Sequence, residues 1–355
     1  MPARGGGAGR PRQRASAPGD ACRRPAGGPG RGGPDPAVTA QRVLRRGLLL
    51  ALPALLAARS GRAAAVRSAW HDATRDRDLP VLIRLPETPG PRPLVLLSHG
   101  LGGSREGLAY LGRALAGAGF VAVHLQHPGT DAAVWQGVPE RAPALAAAAL
   151  DVANAVARLQ DGIFAVEEVV RRGDLPGDPL EGRVDAGRLA AAGHSYGAWL
   201  VQHLLGQRLP GGDRGLRLPE RRLKAGILLS PSPPRGLPPR LAFARVTTPM
   251  LHVTGTADHG WVEGATPADR EVPFRVISGA PQVLVVLEGA RHAAFADEQA
   301  AGPRWSDPTY HARVAAVSVL FLRAMLAGEA AARARLAAGA PALLEPDDRL
   351  ETSGF

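Results

Sequence analysis

The segment Gly193-His194-Ser195-Tyr196-Gly197 carries the clearest chemical signal in the sequence. It fits the pattern G-x-S-x-G, with a strand-like run before it and a helical run after it. In a tight strand-to-helix turn the flanking glycines avoid a clash, and the central serine hydroxyl is lifted above the edge of the sheet. The N-terminus of the following helix also favours a developing anion. The pattern predicts Ser195 as a nucleophile, and an ordinary glycine-rich turn is the alternative.

A serine hydroxyl is a weak nucleophile until a base takes its proton. Asp258 follows the strand-like run Pro249–Thr254, and His292 follows the run Gln282–Leu287. Both residues lie just past the carboxyl ends of predicted strands, where open α/β sheets place their ligand sites. The chain order Ser195, Asp258, His292 matches one of the known orders of a Ser-His-Asp triad. We therefore predict His292 as general base and then general acid, with Asp258 orienting its ring.

Other interpretations of these residues remain open at this point. Asp258 is also compatible with a turn residue, and His292 with a histidine on a surface loop. His259 is a rival base, although its position next to Asp258 in the sequence makes Ser195 harder to reach. Glu288 and Asp297 are rival acids.

The glycine-rich loop from Ser98 to Ser104 follows another apolar run. Small residues let backbone N–H groups approach a ligand closely. In the architecture that carries this serine motif, one oxyanion donor comes from such a loop and one from the residue after the nucleophile. We predict the N–H groups of Leu101 and Tyr196 as these donors. The alternative is a glycine-rich turn that caps a helix at Arg105; a phosphate site is excluded because the loop lacks the lysine and the P-loop spacing.

Several further histidines and tryptophans deserve an interpretation. His124 and His127 have a ligand-like separation, but a metal site needs more ligands, so we interpret them as core or loop histidines. Trp135, Trp199 and Trp261 are candidates for an apolar substrate pocket. Of these, Trp199 is expected to pack against the sheet, and Trp261, three residues after the acid, is the substrate-binding candidate. We predict no metal and no cofactor.

Short β-rich runs alternate with longer helical runs, which is typical of a mostly parallel sheet flanked by helices. The sequence therefore predicts an α/β fold. The predicted strands are Leu79–Leu85 (as an edge strand), Leu94–Ser98, Phe120–Leu125, Arg188–Ala192, Ala225–Leu229, Pro249–Thr254 and Gln282–Leu287. The predicted helices are Arg105–Ala118, Pro143–Gln160, Gly197–Leu205 and Pro308–Leu326. Irregular structure is expected over Ile163–Val184, Gly206–Arg222 and Pro231–Thr248, and a short helix with a frayed tail over Glu329–Phe355.

The N-terminus differs from the rest of the chain. Residues 1–40 are rich in Gly, Pro and Arg and are predicted to be a disordered low-complexity leader. Residues 41–65 combine a charged start, an apolar run and small residues, which predicts an export signal and a periplasmic or secreted protein. Adjacent Arg45 and Arg46 are typical of the twin-arginine route. The apolar run is shorter than the roughly 20 residues of a membrane span; a buried or fraying helix is the alternative.

Composition excludes several function classes. The 355 residues are 45% hydrophobic and 21% charged, which is enough for a sizeable core. Residues 1–65 contain 12 Arg, no Lys and two acidic residues, so they account for +10 of the net charge of +11. A nucleic-acid-binding body would need its basic face on the folded part, so we predict no nucleic-acid partner. The single cysteine, Cys22, excludes an intrachain disulfide and a cysteine-based metal site.

The chain resembles the α/β-hydrolase superfamily, and within it the predicted dienelactone-hydrolase-like proteins that include platelet-activating-factor acetylhydrolases. The resemblance runs from about Trp70 to about Leu326, and it places an α/β-hydrolase domain at residues 66–355. The chain differs from true dienelactone hydrolases, which have Cys where Ser195 stands. It is also similar to secreted cutinase-like polyesterases, but those usually carry disulfides, and this chain has a single cysteine. The segments that carry the resemblance are Asp72–Pro80, Ser98–Ser104, His127–Asp131, the Ser195 turn, Thr254–Asp258 and His292.

The resemblance implies cofactor-free hydrolysis of carboxylic esters through Ser195, His292 and Asp258. The expected substrate is a small-molecule or lipid ester, with no stable membrane span. Two alternatives stay open: thioester or amide cleavage or acyl transfer with the same three residues, and a non-catalytic binding protein on the same scaffold.

Overall fold

A nine-stranded, mostly parallel sheet flanked by helices forms the protein, as a computed structural model that describes residues 65–213, 215–262, 264–297 and 307–355 shows. The predicted α/β class is confirmed. The strands are β1 Ala65–Asp72, β2 Arg77–Arg84, β3 Arg92–Ser98, β4 Val121–Leu125, β5 Val184–His194, β6 Leu223–Leu229, β7 Met250–Ala257, β8 Gln282–Arg291 and β9 Arg349–Ser353.

The sheet has the strand order β1-β2-β4-β3-β5-β6-β7-β8-β9. The pairs from β4 to β8 are parallel, whereas β1 with β2, β2 with β4 and β8 with β9 are antiparallel. The helices are α1 Ala109–Gly117, α2 Arg141–Leu150, α3 Val152–Gly173, α4 Tyr196–Leu204, α5 Pro239–Ala242, α6 Pro267–Val276, α7 Pro308–Met325 and α8 Ala330–Ala337.

Strand β3 illustrates why the central strands are apolar throughout. Successive side chains of a strand point to opposite faces of the sheet. Val95 and Leu97 pack in the core that includes residues of α1, α7 and α8, whereas Leu94 and Leu96 pack in the core that includes residues of α3 and α4. Because helices cover both faces, both sets of side chains must be apolar.

Both edges of the sheet differ from the prediction. The run Leu79–Leu85 corresponds to β2, which is not an edge strand, because β1 pairs with it along eight residues. At the other edge β9 pairs with β8, so the expected frayed tail after Glu329 is wrong; the short helix expected there is α8. Edge strands are half exposed and lack the continuous apolar run of a central strand, and β1 and β9 both show this mixed pattern.

The helical region after residue 140 also differs from the prediction. The single predicted helix Pro143–Gln160 is two helices, α2 and α3, that meet at Asp151 with a bend of 70°. Helix α3 continues to Gly173, so the first half of the irregular segment expected over Ile163–Val184 is helical and the rest is irregular up to β5. The other two segments expected to be irregular are Gly206–Arg222 and Pro231–Thr248. Among their described residues only the short helix α5 is regular, so the expectation holds for most of both segments.

The predictions about localisation concern the N-terminal segments and any membrane-spanning helix. The predicted leader and the predicted export signal lie outside the described residues, except Ala65, which begins β1. Within the described residues no single helix is long and apolar enough to cross a membrane; only the bent pair α2 and α3 passes by length and composition together.

Candidate active site

The carboxyl ends of the parallel strands bring together residues that are far apart in the sequence. Ser195 directly follows β5, Asp258 directly follows β7, and His292 directly follows β8. The register aligns Ala257 of β7 with Arg291 of β8, so the residues after each strand become neighbours. The three side chains predicted from the sequence therefore lie at one edge of the sheet.

The turn at Ser195 is tight and strained. Ser195 has φ 54° and ψ −113°, an unfavourable backbone conformation for a residue with a side chain, and its N–H donates to the Leu229 carbonyl at 2.9 Å. A Cβ at Gly193 would overlap the backbone of Gly197, and a Cβ at Gly197 would overlap the carbonyl of Ser98. The predicted steric need for both glycines is confirmed.

Ser195, His292 and Asp258 form one continuous hydrogen-bonded chain. The distance from Ser195 Oγ to His292 Nε2 is 2.8 Å, and that from His292 Nδ1 to Asp258 Oδ1 is also 2.8 Å. Because an ionised carboxylate only accepts hydrogen bonds, His292 carries its proton on Nδ1 and Nε2 is left to accept from the serine hydroxyl. The Asp258 side chain is fully buried, whereas that of His292 is 18% exposed. Ser195 and His292 border the cavity, and Asp258 lies behind them.

Asp258 is kept ionised by its surroundings. Burial alone would raise the pKa of its carboxyl group, but the hydrogen bond from His292 and the charges of His292 and Arg270 outweigh it and lower the pKa to about 2. Thr254 Oγ1 donates to the second carboxylate oxygen at 2.9 Å. The fully buried Arg270 of α6 lies 3.4 Å from Asp258 Oδ1. Sequence reasoning missed Arg270, because it lies in a helix that carries no motif.

His194, the second residue of the serine motif, fixes the backbone of His292. Its Nε2 lies 3.0 Å from the His292 carbonyl, which can only accept, so His194 is the donor. Burial, followed by the charge of His292, lowers the pKa of His194 to about 3, so the ring is neutral near pH 7. Sequence reasoning gave this residue no role.

Leu101 and Tyr196 both border the cavity into which Ser195 faces. Tyr196 is the first residue of α4, and Leu101 lies in the loop after β3. The loop is held by hydrogen bonds from Gly102 N–H to the Thr130 carbonyl and from Gly103 N–H to the Gly100 carbonyl. The N–H groups of Leu101 and Tyr196 have no hydrogen-bond acceptor among the residues that the structure describes.

The cavity beside Ser195 has a volume of about 810 Å³. Helix α2 contributes an apolar wall that includes Leu145 and Leu150. Trp261 borders the cavity and is 58% exposed. Trp199 also borders it while packing partly against the core, so the expectation that it only packs against the sheet is incomplete. Trp135 donates from Nε1 to the Gly102 carbonyl and supports the loop of Leu101.

The rival residues lie in other roles. His259 and Glu288 are exposed at the surface. Asp297 accepts from the N–H groups of Ala109 and Tyr110 and so caps α1. None of these three side chains is hydrogen-bonded to Ser195 or His292 within the described part of the chain.

His124 and His127 are core histidines, as predicted. His124 Nδ1 lies 2.9 Å from the Gly107 carbonyl. His127 belongs to a second Ser-His-Asp chain: its Nε2 lies 3.0 Å from Ser98 Oγ and its Nδ1 lies 3.1 Å from Asp161. All three members are buried, so this second chain has no access to a substrate. No group of three or more His, Cys, Asp or Glu residues in the described ranges could hold a metal ion.

The Ser195 chain has the parts needed to attack an acyl group. A hydroxyl hydrogen-bonded to a neutral imidazole can lose its proton as it attacks a carbonyl carbon, and a buried carboxylate stabilises the imidazolium that results. Two backbone N–H groups that border the same cavity can donate hydrogen bonds to the developing oxyanion. No protein-family model matches the chain, and a comparison with curated proteins finds no match.

Proposed function

We propose that this protein is a serine hydrolase with the α/β-hydrolase fold and that it cleaves carboxylic esters through a covalent acyl-enzyme. The observation that carries the proposal is the chain of two 2.8 Å hydrogen bonds from Ser195 through His292 to Asp258 beside an open cavity. The proposed fold is supported by the sharp strand-to-helix turn at Ser195, the order of the three residues and the donor loop after β3.

Acylation is the first half of the proposed reaction. Ser195 Oγ attacks the ester carbonyl carbon while His292 Nε2 takes the hydroxyl proton. The N–H groups of Leu101 and Tyr196 donate to the tetrahedral oxyanion. When the intermediate collapses, the bond to the alcohol oxygen breaks and His292 gives that oxygen its proton, which leaves the acyl group on Ser195.

Deacylation uses the same groups with water in place of the alcohol. His292 Nε2 takes a proton from water as the water oxygen attacks the acyl carbon. The second tetrahedral oxyanion accepts from the same two N–H groups. Collapse releases the carboxylic acid, and the proton on His292 returns to Ser195 Oγ.

The apolar wall of the cavity supports contact with the acyl chain of the substrate. Pockets of this size with apolar walls bury small molecules and short acyl chains. Leu145, Leu150 and Trp199 offer such a wall, and the exposed Trp261 is the candidate contact at its mouth. A small-molecule or lipid ester fits this description. We expect turnover of p-nitrophenyl esters across a range of acyl lengths, and Trp261→Ala should raise KM for the longer chains more than for acetyl.

The test is the loss of activity in Ser195→Ala. The purified protein should hydrolyse a p-nitrophenyl ester, and the alanine variant should lose this activity by at least about a thousandfold, because the covalent step is removed. A fluorophosphonate should label the protein once, at Ser195. Tyr310→Phe, a change outside the site, is the control and should keep both properties.

Three results would count against the proposal or modify it. Undiminished turnover in Ser195→Ala would remove this residue from the reaction. Failure of every ester together with absence of labelling would favour the non-catalytic alternative. Faster cleavage of thioesters or amides, or product transfer to an added alcohol, would keep the three residues and change the reaction.

A further inference from the structure

Arg158 of α3 lies beneath the proposed oxyanion site. Its side chain is fully buried. One terminal nitrogen donates to Thr130 Oγ1 at 2.7 Å, and the other donates to Ser98 Oγ at 3.0 Å and to the His99 carbonyl. The guanidinium carbon also lies 4.7 Å from the centre of the Tyr196 ring. Arg158 therefore contacts the segments that carry both predicted oxyanion donors.

The link from Arg158 to Leu101 runs through His99, whose carbonyl accepts from Arg158 and whose ring contacts the carbonyl of the next peptide. His99 Nδ1 lies 2.6 Å from the Gly100 carbonyl, and the Gly103 N–H donates to the same carbonyl at 3.2 Å. That carbonyl belongs to the peptide whose N–H is that of Leu101. In a trans peptide the C=O and N–H bonds point in opposite directions. Holding the Gly100 carbonyl therefore fixes the direction of the Leu101 N–H.

The proton positions in this network are determined by their partners. The backbone N–H of His127 donates to His99 Nε2 at 3.1 Å, so His99 carries its proton on Nδ1 and donates it to the Gly100 carbonyl. Burial, with the charge of Arg158 next, holds the pKa of His99 well below its usual value, which is consistent with a neutral ring. Arg158 donates to the carbonyl of His99, and the His99 ring donates to the carbonyl of Gly100.

The second Ser-His-Asp chain holds one of the oxygen atoms to which Arg158 donates, Ser98 Oγ. Arg158 donates to Ser98 Oγ, whose hydroxyl is free to donate to His127 Nε2, and His127 Nδ1 donates to Asp161. Asp161 also accepts from Arg75 and Arg77 near the surface. The buried chain is thus a support for Arg158 rather than a reactive group.

We propose that Arg158 is a positioning residue that orients the two oxyanion donors, Leu101 N–H through the His99 carbonyl and Tyr196 N–H through its ring. The inference rests on the proposed function. Arginine suits this position because its planar fork reaches three acceptors at once, whereas a lysine ammonium is a single point charge. An oxyanion donor acts in the transition state, so its misplacement lowers kcat more than it raises KM.

Two variants of Arg158 and one matched control test this inference. Arg158→Gln should lower kcat by at least about 30-fold with KM within about threefold, since removal of a complete oxyanion donor costs 10²–10³ in kcat. Arg158→Lys should fall between this variant and the wild type. Arg172→Lys is the control: Arg172 lies near the C-terminal end of the same helix, outside the cavity lining, and pairs with Glu168 and Asp178. It should keep kcat within about twofold.

A second measurement separates positioning from general destabilisation. A trifluoromethyl ketone forms a tetrahedral oxyanion on the serine, so its affinity should fall by the same factor as kcat/KM in each Arg158 variant. Amide hydrogen exchange should become faster in residues 98–103 of these variants and stay unchanged there in Arg172→Lys.

The outcomes are distinct. Retention of kcat in Arg158→Gln, or an equal loss in Arg172→Lys, overturns the inference; if Arg158→Gln does not fold, retention of kcat in Arg158→Lys overturns it. If the wild-type protein neither turns over an ester nor reacts with a fluorophosphonate, the proposed function fails. In that case the exchange rates alone decide whether Arg158 holds the loop: unchanged exchange rejects it, and faster exchange supports it.

Discussion

Gly197, in the turn at Ser195, packs against the backbone of Ser98 and His99 at the end of β3. A methyl group there would overlap the Ser98 carbonyl, which is backbone and cannot rotate away. Gly197→Ala should therefore displace the turn or the loop, lower kcat by at least about a hundredfold and destabilise the fold by a few kcal/mol, as overpacked sites do. Gly117→Ala in α1 is the matched control, because nothing lies within 4 Å of its added methyl group.

The measurements are ester turnover and urea unfolding of both variants. Gly117→Ala should keep its activity and be unchanged or slightly more stable, since alanine favours helix over glycine. A fully active Gly197→Ala would show that the approach of turn and loop is not required for activity.

Asp258 and Asp297 offer a matched comparison of two acids that the sequence left as rivals. Asp258→Asn should lower kcat on the order of 10³–10⁴-fold, because an amide can hold His292 in the wrong tautomer. Ala109 N–H and Tyr110 N–H donate to different carboxylate oxygens of Asp297, so Asp297→Asn keeps an acceptor for only one of them. The lost bond belongs to the start of α1 and not to His292, so kcat should stay within about threefold. Steady-state kinetics of the two variants decide it, and a larger loss in Asp297→Asn would reverse the assignment.

Residue types and spacing predicted the three side chains that the structure joins, because each belongs to a turn that directly follows an apolar strand. Arg158 and Arg270 were not predicted. Each lies within a helix, and burial of an arginine depends on partners supplied by distant segments, such as Thr130 or Asp258. A single sequence does not specify these contacts, so an arginine in a helix is expected to be exposed at the surface.

At the scale of the element, the junction of α2 and α3 sets the position of the cavity wall. Asp151 ends α2 and begins α3, and its side chain accepts from the N–H groups of Ala153 at 2.7 Å and Asn154 at 3.4 Å. The alanine-rich sequence on either side favours helix throughout, which is why one continuous helix was expected. The cap at Asp151 is the local feature that separates them.

Removal of this cap should destabilise the protein. Asp151→Ala leaves two N–H groups of α3 without their side-chain acceptor and should lower the free energy of unfolding by about 1 kcal/mol. Asp151→Ser keeps a capping oxygen, so its free energy of unfolding should fall by only a few tenths of a kcal/mol. Urea unfolding measures both, and equal stability of the two variants would show that the side-chain cap does not stabilise the junction.

The central strands were predictable because both of their faces are covered, which makes their residues apolar without interruption. Strands β1 and β9 were not, since each is paired on one side and largely exposed on the other. Strand β1 still buries Trp70 completely. An edge strand is held by pairing with the backbone of its neighbour. Its own sequence shows no continuous apolar run that would reveal this pairing.

At the scale of the whole molecule, the folded part holds several histidines that are neutral because they are buried. Desolvation is the largest cause in each case, and it lowers their pKa values well below 6.5. The values are about 3 for His124 and His194 and about 4 for His127, His203 and His252. The unfolded chain therefore binds more protons than the folded one below pH 6.5.

The protein should consequently lose stability as the pH falls from about 6.5 toward 4. A histidine whose folded pKa is depressed contributes its full stability above the unfolded value and loses up to about 1.4 kcal/mol per pH unit below it. Asp258, with a pKa of about 2 against an ordinary 3.8, has its effect only at lower pH. Urea unfolding at several pH values tests this, with His252→Gln as the paired variant, because His252 is buried outside the cavity. The variant lacks one titrating group, so its deficit in unfolding free energy relative to the wild type should shrink as the pH falls below about 6, whereas a constant deficit from pH 7 to pH 5 would show that His252 is not titrating on unfolding.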